Sequence, residues 1–327
     1  MCSLSYDATK SIMMDTSPNA YLFCPVCGQA GGALVWQGEH YRILLCGRCR
    51  LQYAWPLRVP ADFYEKAYAG ECWEEKTEYQ EKVTLLAKGV IPPVEHPFYR
   101  RALRLLKTLV PAGGYVFDIG CGAGGFLALL RDAGFRPLGC DVAPQPVELL
   151  RYLGFEVYRG TVEEYPSSWP APAAITAFEL LEHLPDPVGF LTRLRQRFPE
   201  TVLIASVSSP LRPAARMGRY EPFDYPPHHL LRWSLPALRI ACEKAGYTAV
   251  RFIHLPVQGN EIPGFGLARR LDRTLGSSAQ RKLVSKSVGR FKKYCFAPLA
   301  WCLTLFGFRG GSVLVVASPT AEVWRCG

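Results

Sequence analysis

One stretch constrains this 327-residue chain more than any other. It is Val116-Phe117-Asp118-Ile119-Gly120-Cys121-Gly122-Ala123-Gly124-Gly125-Phe126, a short apolar strand running into an acid and then alternating glycines. Gly120, Gly122 and Gly124 allow left-handed backbone and carry no Cβ, so the chain turns tightly and a ligand can approach it closely. Phe126 to Arg131 begins an amphipathic helix whose amino terminus faces that loop. The expectation is an α/β fold with a nucleotide-like cofactor at the loop. Dinucleotide-binding folds use similar glycines. Asp118 argues against them, because a carboxylate at that strand end repels a pyrophosphate yet orients a cationic amino-acid moiety, directly or through water.

The downstream pattern extends this reading. Phe135 to Asp141 reads as a second strand ending in an acid about twenty residues past the loop, where Asp141 suits a ribose diol. Phe155 to Tyr158 and Ala173 to Phe178 read as the third and fourth strands, and Thr248 to Leu255 and Ser312 to Ser318 as the sixth and seventh. The string Asp118-Ile119-Gly120-Cys121-Gly122-Ala123-Gly124-Gly125 resembles motif I of class I S-adenosylmethionine (SAM) dependent methyltransferases. FELLEHLPDP from Phe178, with the later PPHHLLRWSLPALRIACEKAGY, resembles the small-molecule branch holding ubiquinone-biosynthesis O-methyltransferases and sugar and natural-product methyltransferases.

That resemblance implies a Rossmann-like seven-stranded core with SAM held by Asp118, Gly120, Gly122, Gly124, Asp141, Val142, Val162, Phe178 and Glu179. It also implies an arginine near Arg100 that meets the SAM carboxylate. The core is expected over 95–255, with its last strand at 311–319.

Upstream, Cys24-Pro25-Val26-Cys27 and Cys46-Gly47-Arg48-Cys49 form two CxxC knuckles eighteen residues apart. Leu34-Val35-Trp36 and Tyr41 to Leu45 between them predict a hairpin that brings the pairs together. Four thiolates close a tetrahedral Zn²⁺ shell with no open position, so Cys24, Cys27, Cys46 and Cys49 predict a structural zinc ribbon over 20–56. Twelve cysteines in a chain this long, beginning without a signal-peptide pattern, read as thiols and metal ligands rather than disulfides. A cytoplasmic setting is expected, as no run reaches the eighteen apolar residues of a spanning helix.

Transfer of a methyl from a sulfonium is an in-line displacement in which positioning does most of the work. An alcohol or phenol acceptor also needs a general base, for which histidine has a suitable pKa. His183, His228 and His229 follow predicted strands on the side where open α/β sheets place their chemistry, whereas His40, His96 and His254 lie elsewhere. Glu179, Glu182 and His183 admit two readings. In one, they hold a divalent cation, as the Mg²⁺-carrying ubiquinone-pathway relatives do at a matching ExxEH, and lower the pKa of a diol or catechol. In the other, Glu179 faces the cofactor, Glu182 caps the next helix and His183 is a packed loop residue. For His228 and His229, a base role stands beside a structural role in ordering the loop before Trp233.

A polar, aromatic connector over 57–94 carries Tyr64, Tyr68, Trp73 and Tyr79, read as packing rather than as a lid. The net charge of +10 concentrates in an insertion over 256–310, where Arg269 to Lys293 hold nine Lys and Arg against Asp272. Thirteen mostly apolar residues follow, from Phe296 to Phe308, too few to span a bilayer but enough to lie in its interface. The expected partners are a small-molecule acceptor, anionic or lipid-linked, and a peripheral membrane surface contacted through 266–308 at the inner face. An RNA methyltransferase would also use a ribbon and basic charge. It would ordinarily present Asn/Asp-Pro-Pro-aromatic after strand four, where this chain has Glu179-Leu180-Leu181-Glu182. A SAM-binding or ribbon interaction protein without catalysis is the third class, made less favoured by the intact glycine loop and nearby histidines.

Overall fold

The computed structural model describes residues 23–60, 63, 84–90, 97–258, 261 and 296–320. Most of the connector, with its four aromatics, and the basic segment from Arg269 to Lys293 lie outside the described residues.

Two sheets organise the chain. The larger has seven strands in the order β10-β11-β8-β7-β4-β5-β6. These are β4 (Tyr115–Ile119), β5 (Arg136–Asp141), β6 (Glu156–Arg159), β7 (Ala174–Phe178), β8 (Val202–Ser208), β10 (Ala249–His254) and β11 (Ser312–Ser318). β6, β5, β4, β7 and β8 run parallel, and β11 lies antiparallel between β8 and β10. The strand order reverses between β4 and β7, so the carboxyl ends of β4, β5 and β7 open one crevice, where such sheets bind ligands.

Alternation along the strands explains the layering. Val116, Ile204, Leu314 and Val316 face α1 (Pro97–Leu109) and α2 (Gly125–Asp132), burying Phe98, Ala102, Leu106, Phe126 and Leu130. Phe117, Ile175, Leu203 and Val315 share the opposite core with residues of α4 (Pro187–Arg197) and α6 (Leu235–Lys244). α3 (Pro144–Tyr152) packs Val147 and Leu150 with Leu127 and Val157. α5 (Pro213–Arg216) is a single turn, and α7 (Ala297–Leu305) precedes β11. Helix starts carry their expected signals. Asp186 caps α4 by accepting from the Gly189 amide at 2.8 Å, and Ser234 caps α6 by accepting from the Ala237 amide at 3.1 Å. Glu182 is therefore not the cap of the following helix.

The smaller sheet contains the predicted hairpin, β1 (Ala33–Gln37) and β2 (Arg42–Leu45), followed by β3 (Gln52–Trp55). Its fourth strand comes from far along the chain. β9 (Leu231–Arg232) pairs with β3, and the Ala54 amide donates to the Leu230 carbonyl at 2.7 Å. The Ser234 hydroxyl donates to the Cys49 carbonyl, and Arg232 donates to the Gln52 side chain at 3.2 Å. Buried Leu51 and Tyr53 thus join Leu230, Trp233 and Leu238 in one core. The cysteine-bearing segment is fastened to the loop that leaves the larger sheet.

Candidate active site and cysteine cluster

At the β4 carboxyl end the backbone reaches the left-handed region at Gly120 (φ 73°), Gly122 (φ 49°) and Gly124 (φ 75°). Any Cβ would be strained there, which is the physical reason for alternating glycines. The loop is tied to the next strand: the Gly120 and Cys121 amides donate to the Cys140 carbonyl, and the Gly122 amide donates to Asp141 Oδ2 at 2.8 Å. Asp141 also accepts from the Ala143 amide at 2.9 Å. Its carboxylate therefore sits beside the glycine loop and supports it. Burial raises its pKa, opposed by the amides of Ala143 and Gly122.

Asp118 is 3 % exposed and accepts a 2.6 Å hydrogen bond from the Thr176 hydroxyl on the neighbouring strand. Burial pushes its pKa up to about 7, against the Thr176 hydrogen bond and with the help of the Asp141 charge. A cationic ligand beside it would restore the ionised form. The loop, the two acids and exposed Val142 after β5 together fit a molecule with a ribose and a cationic amino-acid tail. Val162 and Phe178 are buried, and Phe178 packs its ring against Phe98, Tyr99 and Phe126. Arg100 is exposed on α1.

After β7 the chain turns sharply at Glu179, whose φ is 48°. Its Oε1 accepts from the Ser206 hydroxyl at 2.7 Å, and it borders a cleft of about 290 Å³ lined by Phe98, Ser208, Arg212, Phe223 and Leu255. Glu182 is 1 % exposed, and its Oε1 accepts from the Ser208 amide at 3.2 Å while Oε2 has no hydrogen-bond partner. Burial, reinforced by the Glu179 charge, raises its pKa well above the carboxylate range, which favours the neutral acid. Among the described residues, Glu179 and Glu182 do not join His183 in a metal-holding group. Each carboxylate instead meets strand β8, Glu179 through the Ser206 hydroxyl and Glu182 through the Ser208 amide, which does not match the Mg²⁺ grouping expected at that triplet.

The three expected histidines do come together, in a different grouping. His183 stands on the short turn after β7, and His228 and His229 lie on the loop before β9. Ring centroids are 4.6 Å apart for His183 and His228, 4.9 Å for His183 and His229, and 4.6 Å for His228 and His229. His183 Nδ1 faces the His228 carbonyl and His228 Nδ1 faces the Phe223 carbonyl, both at 2.8 Å. Burial and the neighbouring imidazoles hold His183 well below its usual pKa, and burial, then His229, holds His228 down at about 3. His229 Nδ1 lies 3.5 Å from Asp224 Oδ1, and Arg212 forms an ion pair with the same oxygen. Burial would raise the pKa of Asp224, but the His229 hydrogen bond and the Arg212 charge outweigh it and leave about 2. Asp224 and Arg212 carry no motif in the sequence, and only folding brings them to the histidines.

The cysteine cluster has the geometry for a metal. Sγ atoms of Cys24 and Cys49 are 3.5 Å apart, those of Cys27 and Cys46 are 3.4 Å apart, and all four lie within 4.8 Å of one another. Zn–S bonds of about 2.3 Å imply tetrahedral edges of about 3.8 Å. Burial pushes Cys24 up to about 11 and raises Cys49 further, so four thiolates need a divalent charge among them. Burial acts against the Cys46 thiolate too, but amides of Cys49 and Arg48 and the Cys27 thiol bring it down to about 7. The donor set and spacing fit a closed Zn²⁺ site that would brace the turns carrying β1 to β3.

Residues 94–251 match a family model described as a methyltransferase domain. Over that segment, just under half of its length, the chain is similar to methyltransferase domains. The chain is 30% identical over 115 residues to a ubiquinone biosynthesis O-methyltransferase of Sodalis glossinidius, covering 32% of this chain and 45% of that protein. It is 34% identical over 92 residues to the Xylella fastidiosa protein of the same description, covering 26% of this chain and 37% of that protein. The chain thus spans less than half the length of these curated relatives. Among solved structures, a SAM-dependent methyltransferase from Archaeoglobus fulgidus aligns with a TM-score of 0.45 and 18% identity, covering 67% of this chain and 94% of that one.

Proposed function

We propose that this protein transfers a methyl group from SAM to a hydroxyl of a small-molecule acceptor, with the histidine cluster activating that hydroxyl. The observation that carries the reading is the placement of three features at one end of one sheet. The glycine loop with Asp118 and Asp141, the cleft beside Glu179, and the His183, His228 and His229 cluster all follow carboxyl ends of parallel strands or the loops leaving them. SAM would supply a methyl on a good leaving group, and Asp118, the close-approaching glycine loop and Asp141 would line its amino-acid and ribose ends. His229, oriented by ionised Asp224, would take the acceptor proton at a ring nitrogen. The acceptor oxygen then bonds to the methyl carbon while the S–C bond breaks and its electrons return to sulfur. O-methylation agrees with the activity for which those relatives are named. A panel of phenols, catechols and sugar hydroxyls incubated with SAM, followed by mass spectrometry for S-adenosylhomocysteine and a product 14 Da heavier per methyl, tests it. S-adenosylhomocysteine without a methylated product, or amine products alone, would refute the hydroxyl assignment.

A membrane-delivered acceptor is favoured by one further observation. No described helix is long and apolar enough to cross a membrane. Yet α7 leaves Trp301 65%, Leu305 66% and Phe306 79% exposed, next in sequence to the basic segment, and it leads directly into Gly311 and Ser312 at the cleft. Such a surface suits an anionic interface at which a lipid-linked acceptor resides. Flotation with anionic liposomes at low salt should carry the protein upward, and no flotation would remove this reading.

A further inference from the structure

We propose that His183, His228 and His229 form a second metal site, separate from the cysteine cluster, for a divalent ion of the zinc class. The three residues offer one ring nitrogen each, and these atoms lie within 4.8 Å of one another. They come from two loops some forty-five residues apart in sequence, so the grouping is a product of the fold rather than of a local repeat. His228 and His229 stack with an interplanar angle of 16°, and His183 stands across them at 72° and 76°.

Each ring is aimed by an oxygen acceptor. His183 meets the His228 carbonyl, His228 meets the Phe223 carbonyl, and His229 meets Asp224. Carbonyl and carboxylate contacts of this kind fix the rotation and tautomer of metal-binding imidazoles. Asp224 is itself held by Arg212, so the support extends one residue further. Zn–N bonds of about 2.0–2.1 Å would draw the three nitrogens inward from their present spacing.

The donor chemistry selects the ion. Three imidazoles suit Zn²⁺, Co²⁺ or Ni²⁺ and not Mg²⁺, which demands oxygen ligands. Three protein ligands also leave a position for an outside oxygen, unlike the closed tetrathiolate. Phe223, whose carbonyl aims His228, lines the cleft, so the site borders the proposed acceptor space. This deepens the reading that the cluster activates the acceptor. With the ion bound, His229 is a ligand, the coordinated hydroxyl becomes more acidic, and its proton passes to solvent before the oxygen attacks the methyl carbon.

The test is metal content together with cobalt spectroscopy on the full chain. Purified protein equilibrated with Zn²⁺ and desalted should hold two equivalents by mass spectrometry of the metal, and His228→Gln or His183→Gln should hold one. Co²⁺ added to protein already holding one Zn²⁺ should give ligand-field bands without thiolate charge transfer, and these bands should vanish in both variants. One equivalent in the wild type, with cobalt reporting only thiolate ligation and no change in the variants, would overturn the proposal. Circular dichroism matched between the variants and wild type establishes that they fold. If one equivalent is found while His229→Gln still abolishes turnover, the metal site fails and the proton-acceptor reading survives. If neither turnover nor a second equivalent is seen, both fail.

Discussion

Proton-linked cofactor binding follows from the buried position of Asp118. Its carboxyl titrates near 7 in the unliganded protein because burial disfavours the charge. The α-ammonium of a bound ligand's amino-acid tail beside it favours the ionised form, so binding should expel a proton wherever Asp118 holds one. With a pKa of about 7, the ionised fraction is about one half at pH 7 and about 0.03 at pH 5.5, a ratio of roughly fifteen. The ligand's α-ammonium, with a pKa of about 7.7–8.0, stays charged across that window and does not confound it. His228, held down at about 3, stays neutral there. The dissociation constant for S-adenosylhomocysteine should therefore weaken by roughly tenfold from pH 7 to pH 5.5, with a slope approaching one proton at the acid end. Calorimetry in buffers of different ionisation enthalpy counts the protons directly. In Asp118→Asn the slope should disappear. A flat wild-type profile, or an undiminished slope in the Asn variant, would refute the reasoning.

Other consequences concern stability and metal. Gly124→Ala places a Cβ in left-handed backbone 2.4 Å from Leu150 Cδ2, so unfolding free energy should drop by about 2 kcal/mol or more, read by urea denaturation. Asp224, depressed from 3.8 to about 2, contributes stability that is present above 3.8 and lost as pH falls through about 2. Asp224→Asn should remove about 2 kcal/mol at neutral pH and flatten the acid limb between about pH 4 and 2. An acid limb identical to wild type would contradict this. Cys46→Ser should abolish zinc in the ribbon and, through the β3 to β9 pairing, increase amide exchange at Leu230 to Arg232, measured by hydrogen exchange with mass spectrometry. Unchanged exchange there would show that the ribbon does not hold the histidine loop.

Which features were legible follows from the range of the interactions that create them. The glycine loop, the strand ending at Asp141 and the last strand at 312–318 rest on local backbone needs and period-two patterns, and they stand where the sequence puts them. The hairpin between cysteine pairs is equally local. β9 is two residues long, and its only reason to be a strand is the edge of β3, some 180 residues away, so no periodicity announces it. Asp224 and Arg212 are ordinary charged residues until the fold sets them beside His229. Glu182 looked like a helix cap or metal ligand by spacing alone, yet β8 takes its carboxyl through the Ser208 amide. The histidines were expected at the site individually, but their mutual arrangement depends on how the loop after β8 crosses the turn after β7.

The most direct measurement is isothermal titration of the zinc-replete protein with S-adenosylhomocysteine at neutral pH, with NAD in parallel. Micromolar binding at one site per chain is expected, weakened at least tenfold by Asp141→Ala, with no heat from NAD. Absence of binding by folded protein, or binding of NAD in its place, would contradict it.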